Sequence, residues 1–344
     1  MKLTSIFTTT ALATSVLAAA ANAETYRVMG QPVATGLIQS TVEQPFFEDF
    51  AARTGLDITT SYQPVDVTGI SDAEQLRILK DGLFDIISLR LSQVSRDEPM
   101  ILGLDLVGLN PDYETGKVTA EKFAPIVDAA LQEKFNTKLL AVWPFGPQVL
   151  FCEPEIASLA DLRGLKVRVY DQNLANFISL LGGTPVPLGF AEVQQSLARG
   201  VVDCAITGPS SANSAGWPEV TSYMMPIAFQ LAMNGYGMNL NKWNELSAED
   251  QGKLQTAFDT LSAEIWSYSA ELFADAVSCN TGGEICETGT RYTNVLVTPT
   301  EADIELIGTA VTEVSFPAWQ QSCDAVDPTC SAKWLETVGT AYEF

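Results

Sequence analysis

A chain of 344 residues, 47% hydrophobic and 18% charged, is long enough for two domains with separate cores and too apolar to be disordered. Its formal net charge of -23 excludes nucleic acid or an anionic membrane surface as partner, but not a small anion held by one local arginine. The absence of histidine excludes Ser-His-Asp and Cys-His catalysis and most zinc sites.

Lys2, an apolar and small-residue run over 6–20, and Ala21-Asn22-Ala23 fit an export signal cleaved after Ala23, so that Glu24 opens the mature chain. An uncleaved membrane anchor is the alternative, and the apolar run is short for a span. Residues 25–29 predict a strand. Residues 40–54 predict a helix with Phe46, Phe47 and Phe50 at helix-face spacing, stopped by Gly55. A strand over 56–62 follows, then a helix over 71–81 opened by Ser71 with Glu74 three residues on, a capping-box pattern. A buried strand over 84–89 leads to Arg90. A helix over 119–135 and a strand over 138–143 run into Pro144-Phe145-Gly146-Pro147, an expected crossover.

The chain is organised around residues 162–209, which read strand, helix, strand, helix, strand and predict a parallel sheet crossed by helices. Arg168 lies near the end of the first of these strands (165–170), Phe190 opens the second helix after the strand 184–187, and Thr207 ends the buried strand 201–206. Strand ends are where such sheets bind ligands. Two more strands are expected over 222–229 and 235–240. Ser247 then caps a long helix over 248–278 whose apolar seam runs Leu254, Phe258, Leu261, Ile265, Tyr268 and Leu272. That seam fits a helix lying along both domains of its own chain, with a coiled-coil partner as the alternative. A strand over 294–298 and helices over 299–320 and 333–340 complete the chain.

Six cysteines in an exported protein read as disulfides. Cys279/Cys286 and Cys323/Cys330 share one close spacing in loop-like sequence, which leaves Cys152 with Cys204; other pairings stay open. Oxidised cysteines are no nucleophiles. A paired-carboxylate glycosidase stays possible on residue type alone, although the carboxylates are spread over helix surfaces. The positive signal is a binding site. Arg168 in Lys-Val-Arg-Val-Tyr is either a solvated strand-end arginine or a planar fork for a ligand carboxylate. Phe190 either packs on that ligand or serves the core. The hydroxyl of Thr207 either donates to a ligand oxygen or caps the following helix.

Several stretches in order resemble the substrate-binding proteins of tripartite ATP-independent periplasmic (TRAP) transporters. Residues 159–169 (LADLRGLKVRV) resemble the family's "DLKGLKIRV", and 182–187 (GGTPVP) its "GATPVP". Residues 190–203 (FAEVQQSLARGVVD) resemble "FSEVYTALQTGVVDG", and 239–251 (NLNKWNELSAEDQ) "INKKWWDKLSPEDQ" ahead of the long helix. The match runs from about 84 to 276. The resemblance implies an α/β, two-lobed periplasmic-binding-protein fold with a long helix spanning both lobes. Residues 24–145 with about 234–273 would form the first lobe, and 146–233 with about 274–344 the second.

It further implies a non-enzymatic periplasmic protein without cofactor that closes on a small organic acid and passes it to a small and a large membrane subunit; oligomeric state stays open, with nothing in the sequence suggesting more than a monomer. By position Arg168 matches the family's carboxylate-binding arginine and Phe190 its pocket aromatic. Ile206-Thr207-Gly208 stands where many members have Glu-Asn-Pro, so the asparagine's ligand contact passes to Thr207 or is lost. The same change removes a pair that one branch uses beside a metal, so no metal is expected. Gln148 stands where some members place a second arginine, which favours a ligand with one carboxylate or with hydroxyls at its far end. Trp217 is expected as apolar wall and Asn213 as a polar specificity residue; Arg90 is either a second positive charge or a surface residue. Sensing for a membrane receptor and an exported hydrolase are the alternative functions.

Overall fold

The computed structural model describes residues 24–342, so the expected signal peptide over 1–23 lies outside the described residues. Eleven strands are formed among them. They are β1 (Glu24–Gly30), β2 (Ile58–Pro64), β3 (Ile86–Arg90), β4 (Thr137–Pro144), β5 (Val149–Cys152) and β6 (Lys166–Val169). Then come β7 (Thr184–Pro187), β8 (Cys204–Thr207), β9 (Tyr223–Met225), β10 (Met233–Asn239) and β11 (Val295–Leu296). They make two sheets, ordered β2-β1-β3-β10-β4 and β11-β9-β5-β8-β6-β7, one in each lobe. The organising segment keeps the expected order, with β6 pairing parallel with β7 on one side and β8 on the other, but the strand expected over 201–206 begins only at Cys204, and Val201 is exposed. The chain crosses between sheets after β4 and again after β9, and the loop ahead of β5 hydrogen-bonds the second crossing through Gln148 N to Gln230 O at 2.8 Å.

The long helix runs Ala248–Thr281, with the Ser247 side chain accepting from Asp250 N and Gly282 closing it in the left-handed region at φ 71°. Leu254, Phe258, Leu261, Ile265 and Leu272 are buried against Phe46, Phe47, Phe50 and Trp143 of the first lobe. Phe273 and Val277, further along, pack on the second lobe's core. Full burial of each such side chain stabilises by about 1.5–3 kcal/mol. The chain's own two lobes therefore cover the seam that a coiled-coil partner would have needed.

Several elements differ from their sequence expectation. The expected helix over 40–54 is three pieces: a π-turn Gln39–Glu43, then Gln44–Glu48 and Phe50–Thr54. Pro45 cannot donate to the preceding turn, and Asp49 leaves helical geometry at φ -99°, ψ 21°. The helix expected from 119 begins at Tyr113, because the Asp112 side chain caps Thr115 N at 2.8 Å. β5 joins the middle of the second sheet, antiparallel to β8 and β9, and is an element the sequence reading passed over. The strands expected over 222–229 and 294–298 shrink to β9 and β11.

The pairings are Cys152–Cys204, directly across β5 and β8, with Cys279–Cys286 and Cys323–Cys330 as local rings. The last helices depart from the expected lobe. Phe316, Trp319, Cys323, Cys330 and Trp334 bury themselves in the first lobe's core beside Met100 and Phe123. The indoles of Trp319 and Trp334 donate to Pro99 O and Gly103 O, each at 2.8 Å. Gly103 lacks a side chain because a Cβ there would stand 2.7 Å from Trp319 and 2.8 Å from Phe123.

Candidate functional site

β6 carries Arg168 between two parallel neighbours, and both neighbours hold its guanidinium. Nε donates to Leu188 O, just past β7, at 3.1 Å, and Nη1 donates to Ile206 O in β8 at 2.9 Å. Tyr170 and Trp217 lay their rings 5.5 and 5.7 Å from the guanidinium carbon, which adds cation–π attraction. The side chain is fixed and only 2% exposed. Among the described residues no carboxylate forms an ion pair with it, and Nη2 donates to no protein atom. Burial pulls its pKa down to about 10, with the Arg90 charge acting in the same direction. An arginine held like this has donors left over for an anion.

Those donors face a small cavity of about 40 Å³ between the lobes. From the second lobe it is lined by Arg168, Tyr170, Phe190, Gln148 and Thr207, and from the first by Arg90 at the end of β3. Phe190 is half-buried and packs on Trp217 with the rings tilted by 31° and 5.4 Å between ring centres. Gln148 donates its side-chain amide to Gly146 O at 2.8 Å, and its side-chain oxygen meets no donor of the described residues. The buried Thr207 hydroxyl makes no hydrogen bond to the described residues, and the helix Pro209–Ser214 begins without a side-chain cap. Thr207 therefore does not serve the helix. Arg90 is no free surface residue either: it pairs with Asp72, Nη2 to Oδ1 at 2.6 Å.

Two expected site residues stand elsewhere. Trp217 is fully buried behind Phe190 and supports the wall without lining it. Asn213 is spent on structure. Its amide donates to Asn280 Oδ1 and Thr290 O at 2.7 Å, and its carbonyl accepts from Thr290 N at 2.8 Å. The role expected for it in ligand specificity is corrected accordingly: it ties the end of the long helix to the disulfide loop.

The sequence reading missed the buried polar network at the crossings beneath the cavity, a candidate hinge. Gln230, on the second crossing, donates to Asp105 O of the first lobe and to Asp171 Oδ2 of the second, and accepts from Tyr170 Oη at 3.2 Å. Asp105 in turn accepts from Leu231 N at 3.0 Å and Met233 N at 3.3 Å. Between them Ala232 sits in the left-handed region at φ 53°. Burial pushes the Asp105 carboxyl up to about 6 and that of Asp171 up to about 7, against the hydrogen bonds that favour their charged forms. In front of the cavity the lobes touch: Ser211 Oγ donates to Thr35 O at 3.4 Å.

Comparison with known proteins agrees with this architecture. The family described as bacterial extracellular solute-binding protein, family 7 (DctP), matches residues 39–286. A solute-binding protein of Roseobacter denitrificans is 32% identical over 131 residues, 37% of this chain and 40% of its own. The chain spans about half the length of the curated relatives it matches, between 40% and 61%. Among solved structures, a TRAP periplasmic solute binding protein from Desulfovibrio salexigens with bound orotic acid superposes with a TM-score of 0.79 at 17% identity, covering 92% of this chain and 99% of its own. A marine metagenome TRAP solute binding protein in complex with co-purified pyroglutamate gives 0.77 at 22% identity, covering 92% and 99%. At these identities the likeness concerns the two-lobed fold alone. The family match spans most of the sequence: the chain belongs to family 7 of the bacterial extracellular solute-binding proteins, the TRAP substrate-binding proteins that its motifs resemble.

Proposed function

We propose that this protein is the periplasmic component of a TRAP transporter, that it captures a small organic acid without transforming it, and that it hands the acid to two membrane subunits. One observation carries the reading: a buried arginine, oriented by two carbonyls and unpaired, points its remaining donors into a cavity between two lobes. A ligand carboxylate supplies the missing charge, and exclusion of water strengthens the pair. Phe190 gives an apolar face, while the Thr207 hydroxyl and the Gln148 carbonyl offer polar contacts to the rest of the molecule. The two structural relatives described above hold orotic acid and pyroglutamate, each a compact ring with one carboxylate, and such acids are the first candidates. Contact between the lobes through Thr35 and Ser211 defines the closed form that the membrane subunits would read.

The test is a thermal-shift screen of the protein from Glu24 onward against mono- and dicarboxylates, keto, hydroxy, aromatic and sugar acids. A ligand at about a hundredfold excess over its dissociation constant adds roughly 2.7 kcal/mol, a visible rise in melting temperature. The expected hit loses about 2–5 kcal/mol of affinity in Arg168→Ala. A hit of equal strength in that variant, or silence across all acids, overturns the reading.

A further inference from the structure

The cavity holds two guanidinium groups in opposite states. Arg168 has no anionic partner among the described residues. Arg90, on the facing wall, is already neutralised: its Nε and Nη2 both reach Asp72 Oδ1, at 2.9 and 2.6 Å. The pair is largely withdrawn from solvent, with side chains 11% and 19% exposed. It is also anchored at both ends. The buried Gln75 side chain accepts from Arg90 N at 3.3 Å and donates to Asp72 Oδ1 at 3.4 Å. Asp72 itself does not line the cavity, and no other carboxylate of the described residues does.

The local charge follows. Two arginines and one aspartate leave a single positive charge for a ligand to neutralise. The other facing positions, Thr207, Gln148 and Asn234, are neutral. Asp171, behind Arg168, caps the helix Gln172–Leu180 through Leu174 N. Any charge it carries lowers the sum further. A dianion would have to leave its second carboxylate among neutral groups, or pull Arg90 away from Asp72 and leave that aspartate unpaired. Either outcome strands a poorly solvated charge.

The geometry points to Asp72 as a specificity-determining residue that, by holding Arg90, restricts this cleft to ligands with one negative charge. The inference rests on the anion reading of Arg168 and adds the number of charges to it. Exchange between mono- and dianions thus lies in a residue outside the cavity, one step behind the wall.

Calorimetric titration with two isosteric pairs, succinamate against succinate and glutaramate against glutarate, tests it, since each pair differs by one charge at constant shape. The wild-type protein is expected to prefer the half-amide by on the order of tenfold. Asp72→Asn, which frees Arg90, is expected to cancel or reverse that preference, whereas Asp72→Glu keeps it. Arg90→Gln supplies the opposite sign: Asp72 loses its partner, and every acid binds more weakly. An Arg168-dependent half-amide whose preference over the diacid is the same in wild type and Asp72→Asn overturns the inference and leaves the carboxylate reading standing. So does a wild-type protein that prefers the diacids, or an Arg90→Gln variant indistinguishable from wild type. If none of the four acids binds wild type or variants, the anion reading fails and the inference with it.

Discussion

Each lobe buries an ionisable side chain near the carboxyl ends of its strands, and the two are treated in opposite ways. In the first lobe Glu43 is fully buried and meets four donors. Gln31 N and Tyr62 Oη reach one oxygen at 2.7 and 2.8 Å, and Ser88 Oγ and Tyr236 Oη reach the other at 2.5 and 2.9 Å. Burial still pushes its pKa up, because desolvation outweighs what the four bonds return. In the second lobe Arg168 meets two carbonyls and, among the described residues, no counter-charge. A buried polar group that the protein satisfies by itself holds structure; one left incomplete beside a cavity is what the proposed ligand site rests on.

The largest effects should separate these two charges. Glu43→Ala leaves three buried donors and the half-buried Tyr62 hydroxyl without their acceptor and should cost about 3 kcal/mol or more of unfolding free energy, read by denaturant titration without ligand. Arg168→Ala should change that quantity by less than about 1 kcal/mol, since relief of an unpaired charge offsets two lost carbonyl bonds. The same substitution abolishes ligand-induced stabilisation. A ligand-free loss as large for Arg168→Ala as for Glu43→Ala would erase the distinction.

The contrast also explains what could be read from sequence. The central strands and helices were legible because period and turn residues agree locally from 162 to 209, and Arg168 stood out as a planar donor at a strand end. Glu43 was invisible. Its four partners come from residues 31, 62, 88 and 236, brought together only by the first sheet. Asn213 misled for the same reason: a polar residue near a strand end is a ligand contact or a structural tie according to whether Asn280 and Thr290 reach it. The lobe of the last helices depended on where Trp319 and Trp334 find carbonyls, at Pro99 and Gly103, more than 200 residues away. Of the hinge, only Tyr170 left a trace in the sequence, within the Lys-Val-Arg-Val-Tyr strand that drew notice for its arginine.

A smaller effect belongs to closure. Gly36 sits at φ 87°, where a Cβ would run into the Ser214 side chain of the opposite lobe. Gly36→Ala should therefore weaken ligand binding by about 1–3 kcal/mol while leaving every group around Arg168 in place. Small-angle scattering with and without ligand should show a reduced shift toward the compact form. Full compaction at unchanged affinity would mean that the Thr35–Ser211 contact plays no part in closing.

A pH-dependent effect lies in the hinge, and its sign is set by Asp105 and Asp171. Both titrate above the ordinary aspartate value of 3.8, at about 6 and about 7. Between 3.8 and those values the folded protein holds protons that the unfolded chain has released, so stability falls as pH rises through this window and levels off above it. Carboxylates held low, such as Asp327 beside Lys333, act the other way but below the window: their contribution is lost only as pH falls under the ordinary value. The melting temperature should accordingly decline from about pH 5 to about pH 8, with a shallower slope in Asp171→Asn. A melting temperature that rises over this range, with the same slope in the variant, would mean that the hinge carboxylates stay charged, and that Gln230 and the amides around Ala232 compensate their burial in full.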